Sequence, residues 1–219
     1  MLRVRPLEPG DGDAVRRIFR TTLVLGRPLP SMPARREYEA LCLDWYLGPA
    51  RRWASVLEDD GEVVGYLLLG ADPSGQRRWV TRAVGRCLAA LVRAGLTGQL
   101  SGDAARLVWL RLRDGWGLRR STPPLPVHVH LNLVPSVRAG RGGRLLAARA
   151  DDLCRELRAP GWYGEINAPA GRRSSALERL GAEIVHRAPN RTLSWAAGTP
   201  VERLTVVRRL PAATAEPAA

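Results

Sequence analysis

The sequence predicts an α/β layer fold of the α+β kind: a twisted mixed β-sheet flanked by helices. Two observations carry this. Strand-like alternation and helix-like periodicity interleave along the chain with no internal repeat, and a strand–glycine–helix unit at 127–157 is followed by a second strand–loop–helix unit at 162–180. Strand-rich hairpins beside such units imply a sheet with both parallel and antiparallel neighbours.

Leu2 to Leu7 alternates as a strand, and the following turn offers Asp13 as an N-cap for a helix over Ala14 to Leu23. A Gly/Pro-rich break at 26–33 separates it from a second helix, Arg35 to Tyr46. Arg52 to Leu57 and Val63 to Leu69 read as strands around Glu58-Asp59-Asp60-Gly61, where Asp-Gly tolerates the positive φ of a tight hairpin. Residues 71–125 interrupt the pattern as a helical insertion, with helices over Val80 to Leu96 and Ala104 to Arg113. Val127 to Val134 is the clearest strand, and Gly140 to Leu157 a long helix opened by glycines. Trp162 to Ile166 is a strand, Ser174 to Leu180 a helix ended by Gly181, and Ala182 to His186 and Arg203 to Arg209 close the sheet. One domain over 1–210 with a disordered tail at 211–219 is expected.

Composition narrows the class. The chain has 219 residues, 45% apolar, so it can bury a core; no apolar run reaches membrane-spanning length, and no membrane partner is expected. Its three cysteines, Cys42, Cys87 and Cys154, form no C-x-x-C and suit a reducing cytoplasm. All 34 basic residues are arginine, a bias that codon usage explains, but the +13 excess over acids favours a polyanionic partner. Trp79, Trp109 and Trp116 stand among arginines in the insertion, a pattern that binds nucleic acid. A core-covering lid that recognises an acceptor is the favoured reading of that segment, and nucleic acid the less favoured partner.

The segment HVHLNLVP at 128–135, continuing to Val137, Arg138, Ala139, Gly140, Arg141, Gly142, Gly143 and Arg144, carries the chemistry. Amides at a glycine-opened helix converge on an anion, and the arginines surround it, so a pyrophosphate is the natural occupant. A P-loop is excluded because the chain has no lysine, and the last glycine of a dinucleotide fingerprint is missing. His128, His130 and Asn132 share one face of a regular strand, and either histidine has the ordinary pKa of a neutral-pH base. Packing under a helix is the competing reading for both. No third ligand stands at metal-site spacing, so no metal is expected. Glu165 and Asn167 share a face of the next strand.

On these residues the chain resembles the GNAT N-acetyltransferases, whose acyl-CoA motif R/Q-x-x-G-x-G/A lies between a strand and a helix. Asn167 to Gly181 is similar in spacing to the family's next segment, N-x-x-N-x-x-A-x-x-x-Y-x-x-x-G-F. Within that superfamily, the strand at 128–135 resembles the branch related to the acetyltransferase-like domain of O-GlcNAc hydrolases. The resemblance implies a GNAT-like sheet and transfer of an acetyl group from acetyl-CoA, as co-substrate, to the amine of a small molecule or protein. It implies phosphate contacts from the 137–143 loop, an oxyanion donor at the Leu133 or Val134 amide, and pantetheine bonding by Asn167. His130 is then the leading base, with His128 and Glu165 as alternatives and Tyr163 as a substitute acid. The sequence departs from the pattern at Val137 (Arg138 is one place late), at Ala170, at Leu177 where many members carry a tyrosine, and at Ala182. Those departures admit an alternative: a non-catalytic module that senses acyl-CoA or contacts nucleic acid.

Overall fold

A computed structural model of the protein describes residues 1–29, 34–118, 123–138, 141–171 and 181–211. Among them, seven strands form one sheet in the order β1-β2-β3-β4-β5-β7-β6. The strands are β1 (Arg3–Pro6), β2 (Ser55–Asp59), β3 (Glu62–Gly70), β4 (Val127–Leu133), β5 (Gly161–Pro169), β6 (Glu183–Pro189) and β7 (Val201–Arg209). All neighbours are antiparallel except β4 and β5, which run parallel. That one parallel pair is joined only at Val127–Trp162 and His128–Tyr163, after which the strands part. The expected neighbours are therefore paired at one end and splayed at the other.

The helices are α1 (Gly12–Thr22), α2 (Arg35–Leu47), α3 (Pro73–Leu96), α4 (Gly102–Leu118), α5 (Pro135–Arg138), α6 (Arg141–Glu156) and α7 (Arg191–Ala197). Helix α6 covers one face of the sheet, where Leu57, Leu67, Val129, Leu133, Leu146 and Leu153 meet in a core. Helices α1 and α2 cover the other, with Val15, Ile18, Phe19, Leu43, Tyr66 and Leu68 buried there. Pleating thus sends Val127, Val129 and Leu133 under α6, and His128, His130 and Asn132 toward α1 and α2. Asp151 ties α6 to the sheet, accepting from Trp162 Nε1 at 2.9 Å and from Arg208 Nε and Nη2 at 2.9 and 2.7 Å.

Local chemistry explains both the agreements and the differences. The Asp60-Gly61 hairpin forms as expected, with φ of 47° and 87° at its two central residues. The strand expected from Arg52 starts instead at Ser55, because Arg51–Trp53 forms a 3-10 turn. Helix α3 starts seven residues before the expected Val80. Asp72 caps it by accepting from the Ser74 and Gly75 amides at 3.1 and 2.9 Å, and Pro73 fills the first position, where a missing N–H costs nothing. Helix α7 was not expected; Asn190 caps it through the Leu193 amide at 2.9 Å. The expected helix at Ser174 to Leu180 and residues 212–219 of the tail lie outside the described residues.

The insertion spans the molecule. Helix α3 packs along α2, while α4 docks on α7. That second contact centres on buried Asp114, which accepts from the Thr192 amide and hydroxyl at 2.9 and 2.7 Å and from the Arg191 amide at 3.2 Å. Trp79 packs against Trp45, with ring centroids 6.1 Å apart, whereas Trp109 is exposed.

Candidate active site

The point where β4 and β5 part gathers polar side chains from four elements. Gln76 Nε2 of α3 donates to the Tyr46 hydroxyl of α2 at 2.8 Å, and that hydroxyl lies 2.9 Å from His128 Nδ1. His128 Nε2 in turn lies 2.8 Å from Glu165 Oε2 on β5. With Gln76 donating, the Tyr46 hydroxyl proton is left for Nδ1, so Nε2 carries the ring proton and donates it to Glu165. Burial keeps the Tyr46 phenol protonated by pushing its pKa up. Burial also pushes the Glu165 pKa up, but the hydrogen bond and charge of His128, with Arg203 nearby, bring it below the usual carboxylate value.

Tyr163 and Asn167 lie on the same face of β5 as Glu165. The Tyr163 ring sits 5.0 Å from the His128 ring, and burial, then Glu165, raises its pKa. Asn167 Oδ1 accepts from Asn190 Nδ2 at 2.8 Å. Glycine at 164 lets the strands meet at this junction, since a Cβ there would stand 2.7 Å from the Val129 carbonyl oxygen.

His130 differs from what the sequence led us to expect. Its imidazole is met edge-on by the rings of Phe19, Tyr46 and Tyr66 at centroid distances of 6.1, 6.4 and 5.5 Å. Burial, with His128 beside it, brings its pKa down to about 4. The ring is enclosed by those aromatic side chains on the α1 and α2 side of the sheet and makes no hydrogen bond to Glu165. His128 and Glu165 occupy the junction instead.

The amide expected at Val134 is also corrected. It donates to the Val64 carbonyl at 3.0 Å and belongs to the sheet. Consecutive amides of a strand alternate sides, so those of Val129, Leu131 and Leu133 turn toward β5. The Leu133 amide donates to the Asn132 side-chain oxygen at 3.0 Å, and Asn132 Nδ2 is held by Thr22 Oγ1 at 2.6 Å.

At the open end of the splay, α6 begins on Arg141 with Gly142 and Gly143 in its first turn and no acidic side chain there. Arg141 and Arg144 are exposed on that turn. A helix's first-turn amides and its dipole attract an anion, and with these two cations they suit a pyrophosphate. Gly142 serves packing: it is buried, and a Cβ would stand 2.9 Å from Leu57 Cδ2 and 3.3 Å from the Val137 carbonyl oxygen. Gly143 has only Leu133 Cδ1, at 3.8 Å, near the same point. Val137 closes the α5 turn by donating to the Val134 carbonyl at 3.2 Å. Ala139, Gly140 and Leu177 lie outside the described residues, as does the Arg138 side chain.

Tyr46, Gln76 and Asn190 were missed at the level of sequence. A capped α3 start at Asp72-Pro73 was the one local signal that could have placed Gln76 on a helix. Among the described residues no group of His, Cys, Asp and Glu is arranged to hold a metal ion.

No model of a protein family matches the sequence, and no curated protein does. Solved structures match over nearly the whole chain. SsHAT superposes with a TM-score of 0.60 at 22% identity, covering 93% of this chain and 96% of its own. A Drosophila melanogaster polyamine N-acetyltransferase that forms N-acetylagmatine gives 0.57 at 16% identity, covering 96% and 100%. The structure of yncA from Salmonella typhimurium with its cofactor acetyl-CoA gives 0.53 at 16% identity, covering 100% and 99%. The chain has the fold of the GNAT N-acetyltransferases.

Proposed function

We propose that the protein is an N-acetyltransferase that moves the acetyl group of acetyl-CoA to the amine of an acceptor. The observation that carries this reading is the ordered chain from Gln76 through Tyr46 and His128 to Glu165, placed where β4 and β5 part. Acetyl-CoA supplies the thioester, and its phosphates suit the α6 entrance with Arg141 and Arg144. Five residue-to-residue steps along β4 lead from His128 to Leu133, about 17 Å at roughly 3.3 Å per step. That length gives the arm between pyrophosphate and thioester a strand to lie along, with Asn167 Nδ2 as a donor to it.

The amine nitrogen attacks the thioester carbonyl carbon, the C–S bond breaks, and the amine proton passes to Glu165. His128, fixed by Tyr46, holds the carboxylate in place through Nε2–H. The Leu131 amide, turned toward β5 close to the junction, is the donor for charge developing on the carbonyl oxygen. A thiol pKa of about 8.5 makes the thiolate a tolerable leaving group, and Tyr163 keeps a proton to give it. The narrower resemblance to the O-GlcNAc hydrolase-related branch rests on the 128–135 strand alone.

Thermal-shift titration with acetyl-CoA, followed by thiol release across an amine panel, tests the reading. We expect saturable stabilisation and acceptor-dependent release. Binding without release points to an acyl-CoA-sensing module, and no binding removes the reading.

A further inference from the structure

Helix α3 turns an apolar stripe outward. Val84, Leu88, Val92 and Leu96 stand four residues apart, so they line one face of the helix over about 18 Å. Their exposure climbs along the helix, at 38%, 46%, 62% and 84%. On the opposite face Ala83 and Ala90 are buried, and Trp79 meets Trp45 where α3 packs on α2. Four aliphatic side chains in a row differ from the single apolar residues that any surface carries.

The stripe is bordered by cations. Arg82, Arg86 and Arg93 run along one side of it, Arg77 and Arg78 stand toward the N-terminal end, and α3 has no acidic residue. All five arginines are exposed, and none makes an ion pair or side-chain hydrogen bond to another described residue. Thr81, Gly85 and Ala89 beside the stripe are exposed as well, so the face is convex and has no walls. Helix α4 repeats the composition with exposed Trp109, Leu112 and Arg113. A convex strip of aliphatic chains and cations matches a surface that is anionic on top and apolar beneath. Nucleic acid offers phosphates but nothing for four aliphatic chains. A partner helix docks into a groove, which this face lacks. A second copy of α3 sets arginines against arginines with no carboxylate between them.

We propose that the outer face of α3 docks the protein on an anionic lipid bilayer. Leu88, Val92 and Leu96 enter the boundary between headgroups and acyl chains, and the arginines meet lipid phosphates. The contact is with one leaflet: among the described residues no helix is long and apolar enough to cross a membrane. Docking of this kind needs no spanning segment, the criterion on which the sequence excludes a membrane partner. It is independent of the acetyl-transfer reading.

Co-sedimentation of the full chain with vesicles tests it, using phosphatidylcholine and phosphatidylserine in equal parts against phosphatidylcholine alone. Wild type should bind the mixed vesicles tenfold or more tightly. Leu88→Ser with Val92→Ser removes apolar area, keeps every charge, and should weaken that binding at least tenfold. Arg82→Gln with Arg86→Gln keeps the stripe and should weaken it roughly thirtyfold, with the gap closing at high salt. Arg187→Gln with Arg209→Gln, on β6 and β7, makes the same change of charge outside α3 and should bind as wild type does. All six positions are exposed, so unfolding temperatures and acetyl-CoA affinity should match wild type. An equal loss in the β6–β7 variant would mean diffuse attraction by net charge and overturns the proposal. Full affinity in either α3 variant, or wild type that ignores the mixed vesicles, overturns it as well. In that case a dimer in sedimentation equilibrium, or binding of an RNA oligonucleotide, that is lost in the α3 variants gives the face to a second copy or to nucleic acid.

Discussion

The Tyr46 hydroxyl lies 2.9 Å from His128 Nδ1 although 82 residues separate the two in the chain. The contact fixes which imidazole nitrogen faces Glu165, and so decides what the β4–β5 junction can do. Tyr46→Phe removes the group that selects the tautomer and leaves His128 Nδ1 unpaired. We expect kcat to fall roughly tenfold with acetyl-CoA affinity unchanged, because the phenol acts on orientation. Glu165→Gln should cost about 10² to 10⁴ in kcat, the size of a general-base effect. Steady-state kinetics with thiol detection checks both. A Tyr46→Phe enzyme as active as wild type would detach the phenol from the reaction.

The two glycines of the α6 entrance should separate cleanly. Gly142→Val places side-chain atoms against Leu57 and the Val137 carbonyl in a closed core. Overpacking of that kind costs about 1–3 kcal/mol. Gly143→Ala meets only ordinary contact with Leu133 and should be silent in unfolding temperature and in acetyl-CoA affinity. Equal unfolding temperatures for wild type and Gly142→Val would contradict the packing role.

Much of the framework was legible because the signals are local. The Asp60-Gly61 turn fixes its hairpin through φ, and alternation alone puts His128, His130 and Asn132 on one face of β4. Their environments were not legible. His130 sinks among Phe19, Tyr46 and Tyr66, while His128, two residues earlier, meets Tyr46 and Glu165. Both side chains obey the same pleat, and the difference comes from α1 and α2 packing on top. The Val134 amide was misread for a related reason: which amides face β3 is set by register with Val64, and register is a long-range property.

The arginines at the α6 entrance predict a salt dependence. Arg141 and Arg144 are exposed on the first turn, so each should contribute by screened attraction to phosphate. Arg141→Ala with Arg144→Ala should weaken acetyl-CoA binding by about 1–2 kcal/mol at low salt. The gap from wild type should narrow as ionic strength rises. Calorimetry across a salt series checks it, and a loss that does not change with salt would mean the side chains act through packing.

His130 should leave a mark on stability in place of rate. Its folded pKa of about 4 lies below the ordinary histidine value of about 6.5. Below pH about 6.5 the unfolded chain takes up a proton on this residue that the folded chain refuses. The stabilising contribution is therefore complete above that pH and is lost as pH falls toward 4, by about 3 kcal/mol in all. The facing groups act in opposite senses: His128 lowers the His130 pKa, and Glu165 raises it. Tyr46, Tyr66 and Phe19 supply the surrounding rings, none of which titrates in this window. His130→Phe keeps an aromatic ring in that setting and removes the titration. Urea unfolding at pH 7 and pH 4.5 should show a smaller acid loss in the variant by about 2–3 kcal/mol, since the titrating carboxylates are common to both proteins. Identical pH slopes for the two proteins would mean that His130 already takes up its proton in the folded state.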